Sequence, residues 1–326
     1  MAGVTDTATQ AAPSPGLAEG RPRRSAKSDS VYWITLYGVS GIFAVICIGF
    51  LLSVVSSSLP AWEKYGTSIL TGTVWNQSTG QYGALPLIAG TLETAAIALT
   101  LAVPIGIGTA LAIVFVLHSR LRTFFSSLVE VLAAVPSVVY GFWGLLVLGP
   151  WFASSVEPWL VSLFGGHFPF QDAPSTETIL LAGCVLFVMV LPLIVALTRD
   201  AIATVPNELV EGALSVGATR WQVLHKVVLP GARVGIVGAI TLASARALGE
   251  TVAIALVIGL NPNFAHSLDS PAATLASIIA TEFQDSTPIQ VAALGALAVI
   301  LMAMTLLVNL IGRQMIRRAA IKVTVL

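Results

Sequence analysis

Charge is scarce in this chain. Of 326 residues only 10% are Asp, Glu, Lys or Arg, against about 25% in soluble domains, which argues against a water-soluble protein. The formal net charge is +0 at pH 7, so no basic field for nucleic acid and no acidic field for cations surrounds the molecule. Cysteine is nearly absent. Cys47 and Cys184 each lie in an apolar stretch without a neighbouring ligand cluster, which removes a disulfide framework, a zinc site and a thiol nucleophile. They read as small buried hydrophobes. The four histidines, His118, His167, His225 and His266, are scattered and form no metal or catalytic group. No Gly-Lys dipeptide occurs, so the phosphate-cradling loop of a P-loop ATPase, which ends Gly-Lys-Ser/Thr, is absent. Any ATP has to act through another subunit.

What the chain has is apolar sequence: 56% of its residues are hydrophobic and its mean hydropathy is +0.89. Backbone in hydrocarbon must satisfy its own polar groups, as helix or closed barrel, and the runs here are long and continuous, which selects helices. The expectation is an all-α polytopic membrane protein with six transmembrane helices, over residues 31–55, 85–117, 124–152, 178–198, 234–260 and 289–311. The domain reading is a disordered cytoplasmic tail over 1–30, a six-helix transmembrane domain over 31–312 and a cytoplasmic C-terminal tail over 313–326. The run 31–55 is about twice a signal-peptide core of 7–15 residues, so it stays as an anchor.

Orientation follows from Lys/Arg asymmetry. With both termini inside, 14 of 16 basic residues fall on the cytoplasmic side; Lys64 lies outside and Arg246 lies within the fifth run. The outer connections over 60–82, 153–175 and 261–287 are too long for tight turns and suit short interfacial helices or a docking surface. The tryptophans gather mostly near span ends, where interfacial anchoring is the ordinary explanation. Pro104, Pro136 and Pro192 fall inside spans, where neighbouring helices re-satisfy the freed backbone groups.

Arg246 and Glu250 are the charges that need an explanation. A central Arg costs roughly 2.5–3.5 kcal/mol on insertion scales, so it requires a partner or a water-filled cavity. Spacing by four puts both side chains on one helical face with Ala239, Ala243, Gly249 and Ala253. An intrahelical ion pair packed on small residues is one reading. An anion step is the other: Arg offers a planar fork for oxyanions, and Glu250 holds that fork and keeps the anion from being trapped. Glu93 and Glu130 lie nearer the ends of their spans, within reach of the headgroups.

The connection 199–233 has internal design. Pro206 opens a helix, Leu209, Ala213 and Val216 fall near one face, Gly217 closes it, and a second helix starts after Thr219 and runs toward Pro230. An ordinary amphipathic interfacial loop and a partner-docking knuckle both fit this pattern. Glu211-Gly212-Ala213, Gly217 and then Leu229-Pro230 resemble the EAA motif of ABC-importer permeases, with Gly212 in place of the first Ala. That resemblance implies the type I ABC-importer permease fold and a coupling helix seated in a cytoplasmic ATPase. Val135 to Gly141, Gly90-Thr91-Leu92, Ala245 to Thr251 and Ser267-Leu268-Asp269 extend it over nearly all of the chain after the tail. Together they resemble permeases of the phosphate-specific transport system, the PstC type. The resemblance implies a homologous PstA-type permease, two PstB-type ATPase subunits carrying ATP and Mg, a PstS-type external phosphate-binding protein, and Arg246 and Glu250 as the phosphate path. It implies no cofactor in this chain, and a location in the bacterial inner membrane. One Arg does not by itself separate phosphate from molybdate or sulfate, and a proton-coupled transporter using Glu250 is the rival from another class.

Overall fold

The computed structural model describes residues 26–171, 175–284 and 286–324. Among the described residues six helices are long and apolar enough to cross a membrane: Tyr32–Tyr65, Leu85–Val116, Ser137–Phe164, Ile179–Ala203, Arg220–Gly249 and Pro288–Ala320, here spans 1 to 6. The chain divides into two compact units, Met1–Leu52 and Ser53–Leu326. The described part of the first is one stretch of helix whose large apolar side chains are exposed all round, as in a helix made to face lipid or another chain. Of the expected N-terminal tail, 1–25 lie outside the described residues, and helix has already begun at Ala26. The expected tail 313–326 is a continuation of the last helix, Pro288–Thr324, as far as Thr324. Arg313, Arg317 and Arg318 therefore stand on a helix that outruns its apolar stretch.

Glycines set how the spans of the second unit approach one another. A methyl at Gly183 would stand 2.6 Å from Ile97 Cγ2, and one at Gly106 would stand 2.7 Å from Ile194 Cγ2, so spans 2 and 4 run parallel with isoleucines seated on bare backbone. Overfilling such a contact costs about 1–3 kcal/mol. Gly183→Leu is expected to lower the melting temperature of the purified protein, and Ile97→Ala to recover most of that loss; a Gly183→Leu protein of unchanged melting temperature would refute this packing.

Span 4 also has an antiparallel neighbour. Arg199 Nη2 meets Glu130 Oε1 at 3.0 Å, a methyl on Gly144 would meet Val185 Cγ2 at 2.6 Å, and one on Gly149 would meet Leu181 Cδ2 at 3.5 Å. All three pairs share one register. The third crossing therefore begins in the amphipathic helix Ser119–Ala134, breaks where Val135 and Pro136 turn extended, and resumes at Ser137. The apolar stretch Ser137–Phe164 has the length to cross alone, yet Gly149 is already level with the first turn of span 4, so the remainder runs on past that end. Its course agrees with the run at 124–152, apart from the break.

Three prolines beyond this break leave the same mark. Pro150, Pro158 and Pro230 each follow a wide i→i+5 turn, at Gly144–Leu148, Phe152–Val156 and Leu224–Val228. A proline has no N–H, and its ring strikes the carbonyl four residues back; a widened turn before it relieves both faults.

The fifth span departs from expectation. Instead of 234–260, helix runs from Arg220 through the widened turn to Gly249, and the chain then folds back into the bundle. A short helix Val252–Ala255 leads to left-handed Gly259 and Leu260, and the Ala272 N–H donates to Ile258 O at 2.9 Å. Ala253, Ile254, Val257 and Ile258 are at most 1% exposed. These residues are apolar because protein surrounds them, a setting in which non-helical backbone is tolerated at membrane depth. Hydropathy does not distinguish that burial from burial in lipid.

The connection 60–82 folds as a packed cap. Trp75–Asn76 pairs with Gln81–Tyr82, the Trp75 and Tyr82 rings stand 5.0 Å apart, and the Trp75 indole N–H donates to Glu282 Oε2 at 3.0 Å. Trp75, 3% exposed, is a core residue and not an interfacial anchor.

Candidate functional site

Packing registers give the depth of Arg246. Gly235 lies directly against Ala201, where span 5 runs antiparallel to span 4. Eleven residues further along, Arg246 is level with Val190, near the middle of Ile179–Ala203. The register of the third crossing brings Tyr140 to the level of neighbouring Met189, and Tyr140 shares a buried cluster with Ala243 and Ala247 of span 5. Arg246 and Tyr140 therefore share one mid-membrane level. Arg246 occupies the last turn of Leu229–Gly249, beside carbonyls with no helical partner, where a cation gains about 0.3–1 kcal/mol from the helix dipole.

The expected ion pair is not formed. Among the described residues both ion pairs belong to Arg199, with Glu130 and with Asp200. Glu250 stands at the C-cap with ψ 129°, where the chain leaves the helix, so no further turn of helix holds the two side chains together. The surroundings are also two-sided. Ala239, Ala243 and Ala253 are buried in the chain's own core, whereas Gly235, Leu242, Arg246 and Gly249 form an exposed edge. Arg246 sits on that border, presented to whatever faces span 5.

Glu93 and Glu130 do not join this level. Glu93 is exposed, and by the parallel register of spans 2 and 4 it is level with the first turn of span 4, about 15 Å along the helix from the level of Arg246. Glu130 pairs with Arg199 near the other end. Two of the sequence motifs are clamps. A methyl on Gly90 would collide with Ala273 O, and Thr91 Oγ1 accepts from the Leu275 N–H at 3.0 Å. Asp269 is buried and accepts from the Gln171 N–H at 3.3 Å, and the Leu180 N–H donates to Leu268 O at 2.9 Å. Both motifs hold the returning segment after span 5 in place.

At the opposite end, the helix Asn207–Ser215 has no buried residue. Pro206 precedes it, and a Schellman turn closes it: the Ala218 N–H donates to Ala213 O at 3.1 Å and the Gly217 N–H to Leu214 O at 3.0 Å, with Gly217 at φ +87°. Thr219 and Gln222 then form a capping box that starts the helix leading through Leu229 and Pro230 into span 5. Glu211 and Gly212 are exposed, and a methyl at Gly212 would meet nothing within 4 Å, so the alanine usual at this motif position would fit. Leu209, Leu214, Val216 and Trp221, at 57%, 43%, 84% and 68% exposure, give the knuckle an uncovered apolar surface.

Residues 102–320 match the family model for the binding-protein-dependent transport system inner membrane component. Over 301 residues the chain is 38% identical to the phosphate transport system permease protein PstC of Mesorhizobium japonicum, covering 91% of this chain and 92% of that one. The chain belongs to this permease family. The same name is carried by a Haemophilus influenzae relative, 38% identical with 84% and 88% covered, and a Methanocaldococcus jannaschii protein named probable PstC is 32% identical with 90% and 94% covered. A solved bacterial alginate ABC transporter chain matches 90% of this chain and 96% of its own with a TM-score of 0.60 at 18% identity, which shows a common fold. The chain is thus a multi-pass membrane transport subunit of type I ABC-importer permease fold. That family works with an ATPase and a substrate-binding protein.

Sequence reasoning took in Tyr140 only as part of a motif and missed its bond to Leu132 O. It also missed Arg199, the residue that fixes the register of the third crossing. Pro136 was the available signal for Tyr140, since a proline in mid-span leaves a carbonyl that some other donor must satisfy; nothing comparable signalled Arg199.

Proposed function

We propose that this chain conducts phosphate through the plasma membrane of a bacterium as one half of an ATP-driven importer. The other half is a PstA-type permease. Two PstB-type ATPase subunits hold ATP and Mg on the cytoplasmic side, and a PstS-type protein delivers phosphate from outside. The basic connections and both termini face the cytoplasm. The observation that carries the reading is the unpaired Arg246 guanidinium at mid-membrane depth on an exposed helix edge, a place where only a water-filled path or a partner makes a charge tolerable. The names of the PstC relatives support phosphate as the anion.

Arg246 attracts the dianion or monoanion, and its fork matches two phosphate oxygens. Glu250, one turn away and not locked onto Arg246, repels the anion and favours its release, since conduction needs departure as well as entry. Glu211, Gly212, Ala213 and Gly217 present the coupling helix to the ATPase, and Leu229-Pro230 joins it rigidly to span 5. ATP binding draws the two coupling helices together and opens the path outward; hydrolysis resets it.

Uptake of labelled phosphate by vesicles, with and without internal ATP, tests this reading. Uptake that requires ATP and survives collapse of the proton gradient is expected. Uptake that survives ATP depletion and stops with the proton gradient would instead establish a secondary transporter in which Glu250 carries the proton.

A further inference from the structure

The break in the third crossing leaves one carbonyl to account for. In a continuous helix Leu132 O accepts from the N–H four residues on, but that residue is Pro136, which has none. The Val135 N–H reaches Leu132 O at 3.2 Å, and the Tyr140 hydroxyl donates to it at 2.8 Å. Tyr140 is 8% exposed. A buried phenol thus ties the upper half of the broken helix to the lower half, across the proline.

Both halves pack on span 4, and each also has a contact the other lacks. Below the break, Glu130 is fixed to Arg199 in the last turns of span 4, four residues before that span ends at Ala203 and the chain enters the coupling helix. Above the break, a methyl on Gly141 would stand 2.8 Å from Ala253 Cα, so this half is seated on the segment that comes after Glu250. The break is a joint between a part paired with the last turns of span 4, just before the coupling helix, and a part packed on the segment after Glu250.

Tyr140 stands on the level of Arg246, and a hydroxyl has one proton to donate. We propose that Tyr140 is a substrate-responsive latch: its hydroxyl holds Leu132 O while the path is empty, and turns to an oxygen of the anion when one arrives at Arg246, releasing the joint at Val135–Pro136. A hydrogen bond to a charged acceptor is about twice as strong as one to a neutral acceptor, so the anion outcompetes the carbonyl. Leu132 O keeps the Val135 N–H, and its burial after the switch is tolerated. Tyr140 is a positioning residue for the joint as well as a contact for the anion. The latch rests on the proposed function, because it requires the translocated anion to meet Arg246.

Tyr140→Phe keeps the ring and removes the proton. In the complete transporter, reconstituted with its partner permease, ATPases and binding protein, it is expected to raise phosphate-independent ATP hydrolysis and to raise the phosphate concentration for half-maximal uptake by about tenfold, the effect of one lost hydrogen bond to a charged group. Adding Pro136→Ala gives Leu132 O a backbone donor of its own; the double variant is expected to return basal hydrolysis to the wild-type rate while uptake stays impaired and slower, because the anion no longer opens the joint. A purely structural tyrosine would move neither quantity in this pattern. Basal hydrolysis unchanged in Tyr140→Phe, or a rise that Pro136→Ala leaves standing, overturns the latch alone when wild-type uptake is normal. A wild-type complex without ATP-driven phosphate uptake overturns the proposed function, and the latch with it.

Discussion

Arg246→Ala removes phosphate uptake, by at least about a hundredfold, in a complex that still assembles. The magnitude follows from losing a two-pronged, charge-assisted contact to an anion, with each such hydrogen bond contributing about 1.5–3 kcal/mol. Assembly survives because Arg246 is exposed and unpaired in this chain, so its removal opens no core cavity and strands no buried partner. Its loss even relieves the roughly 2.5–3.5 kcal/mol cost of a central charge. Labelled uptake alongside co-purification of the subunits measures both halves of the prediction. Arg246→Lys keeps the charge without the planar fork and should fall between the two. Normal uptake by Arg246→Ala would take this residue out of the mechanism.

Gly217→Val separates the ATPase from the permease. At φ +87° a residue with a Cβ costs about 1–2 kcal/mol, and a β-branched one more, and the cost falls on the two hydrogen bonds that close Asn207–Ser215. Once that turn opens, the helix no longer leads into the capping box of Thr219 at a fixed angle. The exposed knuckle then loses its shape without disturbing the core, because the helix it ends has no buried residue. Reduced ATPase recovery on the purified complex, or hydrolysis no longer linked to uptake, is the expected result. Fully coupled transport by Gly217→Val would contradict the docking assignment.

The helix Asn207–Ser215 was legible residue by residue because its signals are local. Pro206 opens it, Gly217 closes it, and the next helix starts after Thr219, each acting within a turn of its own position. The crossings were legible for a similar reason: a run of apolar residues states that water is excluded. It does not state by what. Ala253, Ile254, Val257 and Ile258 read as a continuation of the fifth membrane helix and are wrapped in protein, so the fifth span appeared to extend to 260 when it stops at Gly249. Trp75 misled in the opposite direction, as a tryptophan near a span end that is buried under Tyr82 and bonded to Glu282.

Contacts distant in sequence were the part that remained hidden. Glu130 and Arg199 are 69 residues apart, and nothing near either predicts the other. Arg246 and Glu250 show the converse limit. Spacing by four placed them on one face, but whether two side chains on one face touch depends on the helix continuing, and here it ends between them. The separation matters to function, since a closed Arg246–Glu250 pair would have no fork free for an anion.

A structure of the assembled transporter with phosphate bound tests the central claim most directly. The account predicts an oxyanion within hydrogen-bond distance, about 3 Å, of the Arg246 guanidinium, inside a wet passage between the two permease chains. An Arg246 side chain packed into a dry contact, with the anion's route passing elsewhere, would contradict it.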